Sequence, residues 1–159
     1  IPGGDRTVVG FLTYDDKVHY YNLKNTLKQP QMIVNTDELD FLPMPEDLMV
    51  NLADSKGLVL DLLRQLPIMF ADSIEYDTNM ESVVKSIGAL TKVTGAKVFL
   101  FESSPISARF PQLQVTQKPE VKDRPELVKP TMHMFKNYGV ELSHYYVSID
   151  QFIISGHNT

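Results

Sequence analysis

The chain has 159 residues and a net charge of −5, and this length is typical of about one domain. The acidic balance argues against a nucleic-acid binder, because such a protein usually carries a basic face. Cysteine is absent, which excludes a disulfide framework and a thiolate zinc site within the chain. No run of about 18 apolar residues occurs, so the sequence predicts no membrane-spanning helix. The chain begins with neither an initiator methionine nor a signal peptide, and we expect a piece of a larger multidomain protein.

Two β-rich stretches open the chain. Residues 6–14 and 17–23 are rich in β-branched and aromatic side chains, and the short polar pair Asp15 and Asp16 lies between them. This pattern predicts an antiparallel hairpin. The first stretch is apolar on both faces, which predicts a central strand covered by helices. Gly10 within it would let another element approach the backbone closely.

A third short strand is predicted over residues 31–34, and an acidic, apolar segment follows it. Residues 35–52 contain Asp and Glu at five positions and no Lys or Arg. Pro43 and Pro45 argue against a regular helix or a central strand, so we expect a loop. That loop either docks on its own domain or faces a partner. The residues nominated for partner or cargo contact are Phe41, Leu42 and Met44.

The first predicted helix covers residues 55–66. Asp54 or Ser55 can cap its start, and Pro67 is expected to stop it. Helical spacing places several apolar side chains on one stripe. They are Leu58, Val59, Leu62, Leu63 and Leu66.

The second predicted helix covers residues 78–94. Thr78 and Glu81 have the spacing of a capping box at its start, and Gly95 suits the position just after its end. Its predicted buried face consists of Met80, Val83, Val84, Ile87 and Leu90.

The remaining elements indicate an α/β protein. A buried strand is predicted over residues 97–101, and a helix, a glycine and an apolar strand in that order are typical of the return half of a βαβ unit. Residues 103–126 contain four prolines and are expected to form a variable loop. A short helix over 130–138, ending at Gly139, and a last strand over 145–154 complete the prediction.

No catalytic arrangement can be nominated. The four histidines, at positions 19, 133, 144 and 157, lack the spacing of a metal-binding pair, and His19 is expected to be structural. Ser103 and Ser104 follow a strand without the glycine-flanked elbow of a hydrolase nucleophile. Asp15 and Asp16 could act as acid and base, but a turn explains both. We therefore predict that the protein is not an enzyme.

Two surface hypotheses remain open at this point. Tyr14, Tyr20 and Tyr21 either form an aromatic contact surface or pack within the sheet. Four basic residues of the proline-containing loop either are simply solvated or contact anionic lipid or an acidic signal. They are Arg109, Lys118, Lys122 and Arg124.

Several stretches of the chain resemble the trunk domain of the cargo-adaptor subunit of the inner COPII coat, the Sec twenty-four family. They read VGFLTYDDKVHYYNL, QPQMIVNTDELDFLPMPEDLMVNL and DSKGLVLDLLRQLPIMF, with KVFLFESSP and VSIDQFIIS further on. The similarity is strongest over residues 6–70, and the sequence departs from the family pattern after Ser104. On this resemblance, residues 1–159 are most of a trunk domain.

The resemblance implies a von Willebrand A-like, Rossmann-like α/β fold. Its sheet would be mixed and mostly parallel, with helices on both faces, and incomplete on the N-terminal side. It also implies a peripheral protein on the cytosolic face of the endoplasmic reticulum and of COPII vesicles. There it would pair with the partner coat subunit through its sheet edge and loops, capture the export signals of membrane cargo and contact the small GTPase of the coat indirectly. No cofactor is expected in this segment, whereas a zinc finger is expected elsewhere in the full-length protein.

A metal-dependent function is the alternative that the resemblance raises. True von Willebrand A domains often bind Mg²⁺ through oxygen ligands on three loops. Thr78 would occupy the second-loop position, but its capping role already explains it. Glu102 and Ser103 lie where an aspartate would be needed. We therefore predict no metal site, and a generic von Willebrand A-like module with a metal-dependent ligand site is the alternative function.

Overall fold

A computed structural model describes residues 4–35, 42, 44–73, 80–102 and 133–153. The chain forms two compact units, Ile1–Glu75 and Tyr76–Thr159. Among the described residues of the first unit, a short 3-10 turn over Gly4–Arg6 precedes five strands and two helices. In chain order these are β1 (Val8–Val9), β2 (Leu12–Tyr14), β3 (Val18–Asn22), β4 (Gln31–Asn35), α1 (Pro45–Leu48), β5 (Val50–Asn51) and α2 (Leu52–Met69).

The predicted hairpin is confirmed. Strands β2 and β3 pair antiparallel, with Leu12 opposite Tyr20, and the turn between them is closed by local hydrogen bonds. The Asp15 carboxylate accepts from the Lys17 amide at 2.8 Å, and the Asp15 amide donates to the Lys17 carbonyl at 3.0 Å. Such side-chain bonds to the nearby backbone are the reason that aspartate favours turns.

The prediction that residues 6–14 form a central strand is wrong. In the described residues they form two short strands, of which β1 pairs with β5 and β2 lies at one side of the β2–β3–β4 sheet. The central strand is β3, and every one of its residues is buried. The interruption falls at Gly10, where an added Cβ would lie 2.6 Å from Met49 Sδ and 3.0 Å from the Leu48 carbonyl oxygen. The close approach expected at this glycine is therefore confirmed.

The acidic segment contains more regular structure than expected. Pro45 does not prevent a helix, because it is at the first turn of α1, where its missing N–H would have no partner within the helix in any case. Val50–Asn51 then forms β5, which pairs antiparallel with β1. The loop prediction is therefore wrong for residues 45–48 and 50–52.

Helix α2 begins earlier and ends later than predicted. Its cap is Asn51, whose Oδ1 accepts from the amides of Ala53 at 2.8 Å and Asp54 at 3.4 Å. Asp54 and Ser55 are therefore inside the helix. Pro67 also lies inside the helix. Because Pro67 is close to the end, its missing backbone N–H affects the hydrogen bonding of the last turn only.

The core of the first unit forms where α2 packs against β3 and β5. Leu58, Val59 and Leu62 are buried as predicted, and Leu66 is partly buried. Leu63, which was predicted on the same stripe, is 47% exposed, because it is turned about 100° around the helix from Leu62. The buried cluster consists of Tyr21, Leu23, Val50, Leu58, Val59 and Leu62.

The second unit contains α3 (Met80–Thr91), β6 (Ala96–Glu102), α4 (His133–His144) and β7 (Val147–Ile153). Strands β6 and β7 pair in parallel from Ala96 opposite Val147 to Glu102 opposite Ile153. The predicted return half of a βαβ unit would place a parallel neighbour before α3 in the chain, whereas the parallel partner seen in the described residues, β7, follows β6. Among the strand pairs of the described residues, the other three are antiparallel.

Helix α3 matches its predicted buried face, with Met80, Val83, Val84 and Ile87 buried and Leu90 half-buried. The chain leaves the helix at Gly95, which has a φ of +65° and donates its amide to the Thr91 carbonyl at 2.8 Å. A left-handed glycine is the usual residue at such an end. The predicted capping residue Thr78 lies outside the described residues.

Two predictions for the second unit are wrong. Helix α4 continues to His144 with Gly139 inside it, so the glycine does not end the helix. Strand β6 is buried on only one face, since its exposure alternates along the strand. The variable loop predicted over residues 103–126 lies outside the described part of the chain.

Candidate partner-binding surface

Strand β4 presents an apolar edge. Within the described residues its strand partner is β3, on one side. Side chains alternate between the two faces of a strand, and Met32 and Val34 share one face, where they are 45% and 42% exposed. Among the described residues β4 is thus the last strand of this sheet, and its exposed apolar side chains resemble a binding surface more than a packed core.

The three residues nominated for partner or cargo contact differ in whether the structure describes them and in how exposed they are. Phe41 lies outside the described residues, and Leu42 is half-buried. Met44 is 51% exposed and has a left-handed backbone, with a φ of 46° and a ψ of 57°. A non-glycine residue held there costs about 1–2 kcal/mol. Met44 therefore presents an apolar side chain to solvent from a strained position next to α1.

Helix α1 is held in place by contacts with the rest of the first unit. Lys24 Nζ lies 2.9 Å from Asp47 Oδ1, which connects the helix to the segment just after β3. Leu48 is buried, and the Met44 carbonyl accepts from the Asp47 amide at 3.0 Å. Met44 is therefore positioned by an ordered element.

His19 lies in the interior of the first unit, as expected for a structural histidine. It is 6% exposed, and its ring centroid lies 5.5 Å from that of Phe70. Its Nε2 is 3.9 Å from Asp15 Oδ2. The His19 ring thus packs against an aromatic ring, that of Phe70, and lies near one carboxylate, that of Asp15. Both neighbours belong to the first unit.

The tyrosine hypothesis is resolved in favour of packing for two of the three residues. Tyr20 and Tyr21 are buried, and Tyr14 is half-buried. The Tyr21 and Thr13 hydroxyl oxygens are 2.7 Å apart. Burial raises the pKa of Tyr21, with a smaller contribution of the same sign from the Asp15 charge, while the Thr13 hydrogen bond lowers it. Tyr20 and Tyr21 therefore form no external aromatic surface.

Sequence reasoning missed an aromatic face in the second unit, formed by Phe99, Phe101 and Phe152. Phe99 and Phe101 are 55% and 61% exposed. The rings of Phe101 and Phe152 stack with centroids 5.1 Å apart. Lys97 pairs with Asp150 at 3.0 Å on the same two strands. The alternation of phenylalanine in KVFLFE could have indicated this face, because one side of the strand carries both aromatic rings.

Glu102 is a buried carboxyl group at the end of β6. Its Oε2 accepts from Gln151 Nε2 at 2.6 Å, while Oε1 is buried with no hydrogen-bond partner in the described structure. Burial raises the pKa of Glu102, and the Gln151 hydrogen bond lowers it by less. In the described ranges, no group of three or more His, Asp or Glu side chains could hold a metal ion.

No helix in the described part of the chain is long and apolar enough to cross a membrane. Several predicted site residues cannot be placed, because they lie outside the described residues. They are Thr78, Ser103, Ser104, Arg109, Lys118, Lys122, Arg124 and His157.

Comparison with known proteins identifies relatives over nearly the whole chain. The Sec23/Sec24 trunk domain family model matches residues 1–158. Human protein transport protein Sec24A is 34% identical over 161 residues, which cover 98% of this chain and 14% of that protein. The Arabidopsis thaliana protein transport protein SEC24 A is 39% identical over 105 residues, which cover 65% of this chain and 10% of that protein.

A solved structure supports the same relationship. The crystal structure of the human COPII-coat protein Sec24c matches with a TM-score of 0.77 and 30% identity, covering 98% of this chain and 22% of that chain. The α/β class predicted from sequence is confirmed by this match. The chain spans only about a seventh of the length of the human relative, and within that span it belongs to the Sec23/Sec24 trunk domain family.

Proposed function

We propose that this protein is a component of the COPII vesicle coat, acting in transport from the endoplasmic reticulum to the Golgi. In this role it selects cargo by binding cytosolic export signals and pairs with the partner subunit of the inner coat through its trunk domain. The observation that carries the proposal is the family match over residues 1–158. The likeness to a COPII-coat protein at a TM-score of 0.77 supports it.

The finer fold proposal is a von Willebrand A-like, mixed and mostly parallel sheet with helices on both faces. The parallel pairing of β6 and β7 supports it. Parallel neighbours need a crossover connection of a dozen or more residues, usually a helix, and α4 lies in that connection.

The protein works by binding and not by catalysis. Support comes from the relatives, which are named for protein transport, and from the chemistry of the exposed residues. Met32, Val34 and Met44 are apolar and exposed, which suits contact with another protein better than proton or group transfer. The net charge of −5 disfavours nucleic acid as a partner.

The contact with the partner subunit includes Phe41, Leu42 and Met44. Met44 supports this assignment, because it presents an exposed apolar side chain beside an anchored helix. The protein is peripheral on the cytosolic face of the endoplasmic reticulum and of COPII vesicles, and it meets the small GTPase of the coat indirectly. This segment has no cofactor, and a zinc finger lies elsewhere in the full-length protein.

A pull-down of the full-length protein with the partner coat subunit tests the proposal. Three forms are compared: the wild type, a variant in which Phe41, Leu42 and Met44 are each replaced by lysine, and the control Leu63→Lys. Leu63 is exposed on α2 and carries no assigned role.

The wild type and the control should pair, and the triple variant should lose at least about tenfold in affinity, because lysine replaces apolar contacts. Absence of pairing by the wild type at micromolar concentration would overturn the coat assignment. Equal pairing by the triple variant would overturn only the contact residues.

A further inference from the structure

The parallel pairing of β6 and β7 brings two turns to one edge of the second unit. Strand β6 follows α3 in the chain, and β7 follows α4. The two strands pair in parallel from Ala96 opposite Val147, so their N-terminal ends lie at the same edge. The turns that enter the strands, residues 92–95 and 145–146, therefore lie there too. We call these two turns the turn edge.

The two turns of this edge are in contact with each other. A Cβ added at Gly95 would lie 3.2 Å from the carbonyl oxygens of both Tyr145 and Tyr146. Lys92 Nζ lies 5.4 Å from the centroid of the Tyr145 ring, which is within the range of a cation–π interaction. The Tyr146 amide donates to the Ser143 carbonyl at 3.2 Å. The side chains of the turn edge thus belong to one ordered surface.

Two side chains project from the turn edge. Val93 is 95% exposed and Tyr146 is 90% exposed. Tyr146 also has a left-handed backbone, with a φ of 56°, which is unfavourable for a bulky aromatic residue. Strained backbone positions of this kind cluster at binding and switch sites. The structure therefore holds an aromatic ring and an aliphatic side chain outward at an energetic cost.

The charge of the turn edge is opposite to that of the whole chain. Residues 91–97 and 142–148 contain Lys92, Lys97 and His144 and no Asp or Glu, whereas the net charge of the chain is −5. Lys97 pairs with Asp150 at 3.0 Å, while Lys92 and His144 are exposed. The complement of this edge is therefore an anionic surface.

The shape and chemistry of the edge favour a lipid surface over a peptide. Val93 and Tyr146 are so exposed that they project outward, whereas a bound peptide needs a groove or a strand edge to lie in. Tyrosine is enriched at the level of lipid headgroups, and apolar side chains enter the boundary with the acyl chains. A lysine beside them is attracted to anionic headgroups.

We propose that the turn edge contacts an anionic lipid surface, with Tyr146 and Val93 entering the interfacial layer and Lys92 meeting the headgroup phosphates. The inference goes beyond the proposed coat function, because the chemistry of the edge supports it whichever complex the protein joins.

The test uses the full-length protein and sedimentation with vesicles. Vesicles of phosphatidylcholine are compared with vesicles that also contain phosphatidylserine. The variants are Val93→Ser with Tyr146→Gly, and Lys92→Gln. Glycine at position 146 removes the ring and accepts the left-handed backbone, so the fold is expected to persist. The matched control is Leu63→Ser, since Leu63 is an exposed apolar residue of the first unit. Hydrogen exchange of the wild-type turn amides provides a measurement that needs no substitution.

The wild type and L63S should bind the phosphatidylserine vesicles more tightly than the phosphatidylcholine vesicles, and binding should weaken at higher salt. K92Q should bind the anionic vesicles about fivefold more weakly, and V93S/Y146G should lose at least about fivefold. Anionic vesicles should slow exchange at residues 92–95 and 145–147.

Three results would overturn the proposal. They are equal vesicle binding by V93S/Y146G and the wild type, equal binding of the wild type to both kinds of vesicle, and slowed exchange only outside the turn edge. If V93S/Y146G kept vesicle binding but lost pairing with the partner coat subunit, the edge would belong to a protein contact instead.

Pairing of the wild type with the coat subunit is measured on the same samples and bears on the coat assignment alone. Vesicle binding that depends on the turn edge, without subunit pairing, would support the lipid proposal and overturn the coat proposal. Subunit pairing without such vesicle binding would do the reverse.

Discussion

Strands β3 and β6 show that the composition of a strand does not decide its burial. Strand β3 includes His19 and Asn22, yet all of its residues are buried. Strand β6 reads AKVFLFE, yet Phe99 and Phe101 are more than half exposed. The difference lies in position, because β3 has a strand on each side and α2 packed over it, whereas β6 pairs with β7 alone in the described residues. What covers a strand therefore matters more than how apolar it is.

The largest expected effect comes from removing one aromatic side chain from each strand. Tyr20→Ala should lower the free energy of unfolding by about 3–5 kcal/mol, because a fully buried ring leaves a cavity. Phe101→Ala should cost less than about 1 kcal/mol, since the ring is 61% exposed. Urea unfolding of both variants measures the difference, and equal losses would contradict the contrast between the two strands.

The covering helix offers a second matched pair on adjacent residues. Leu62→Ala should cost about 2–5 kcal/mol, because Leu62 is fully buried against the core. Leu63→Ala should change the free energy of unfolding by less than about 1 kcal/mol, since Leu63 is nearly half exposed. Thermal unfolding should rank the two in this order. The reverse order would show that α2 is rotated from the orientation described.

Replacing Gly10 and Gly57 with alanine should change the free energy of unfolding in opposite directions. Gly10→Ala should cost about 1–3 kcal/mol, because the new Cβ would meet Met49 Sδ at 2.6 Å and the Leu48 carbonyl at 3.0 Å, and a carbonyl cannot rotate away as a side chain can. Gly57→Ala in α2 should stabilise by up to about 1 kcal/mol, because nothing lies within 4 Å of its Cβ position. Chemical denaturation of both variants tests the pair.

The smallest effect should be a pH dependence of the free energy of unfolding that comes from Glu102, on the buried face of β6. Because burial raises the pKa of Glu102 above its ordinary 4.5, the folded protein holds this proton more tightly than the unfolded chain. Its contribution to stability is present below pH 4.5 and is lost as pH rises through the folded pKa. Glu102→Gln should remove this dependence. An unchanged pH profile of unfolding in the variant would show that Glu102 is not its source.

Local patterns were sufficient to predict several elements. The Asp15 turn, the helical spacing of α3 and the glycine at its end depend on residues close together in sequence, so they could be inferred before any tertiary contact was known. The α/β class followed from the order of the predicted helices and strands, and the family followed from the resemblance, which is strongest over residues 6–70. The match to the trunk domain family and to a solved trunk structure confirms both.

The features that sequence missed depend on distant contacts. Asn51 and Asp54 are equally good caps by residue type. Asn51 is the residue that caps α2, and it is held in place by the pairing of β5 with β1 and by the hydrogen bond that its Nδ2 donates to the Asp5 carbonyl at 2.6 Å.

Exposure in the candidate surface also depends on contacts that the sequence does not show. The composition of Phe41, Leu42 and Met44 does not distinguish half-buried Leu42 from exposed Met44, because their exposure depends on what packs nearby.

The pairing of β1 with β5 has a consequence for the order of folding. The β2–β3 hairpin joins residues that are neighbours in sequence, and hairpins form in about 1–10 μs. By contrast, Val9 meets Val50 only after roughly forty intervening residues have been closed into a loop, at an entropy cost that local pairing does not require. The contact extends over only two residue pairs, so it gains little until α2 has packed. Kinetically, the N-terminal strand should therefore be among the last parts of the first unit to acquire protection from hydrogen exchange.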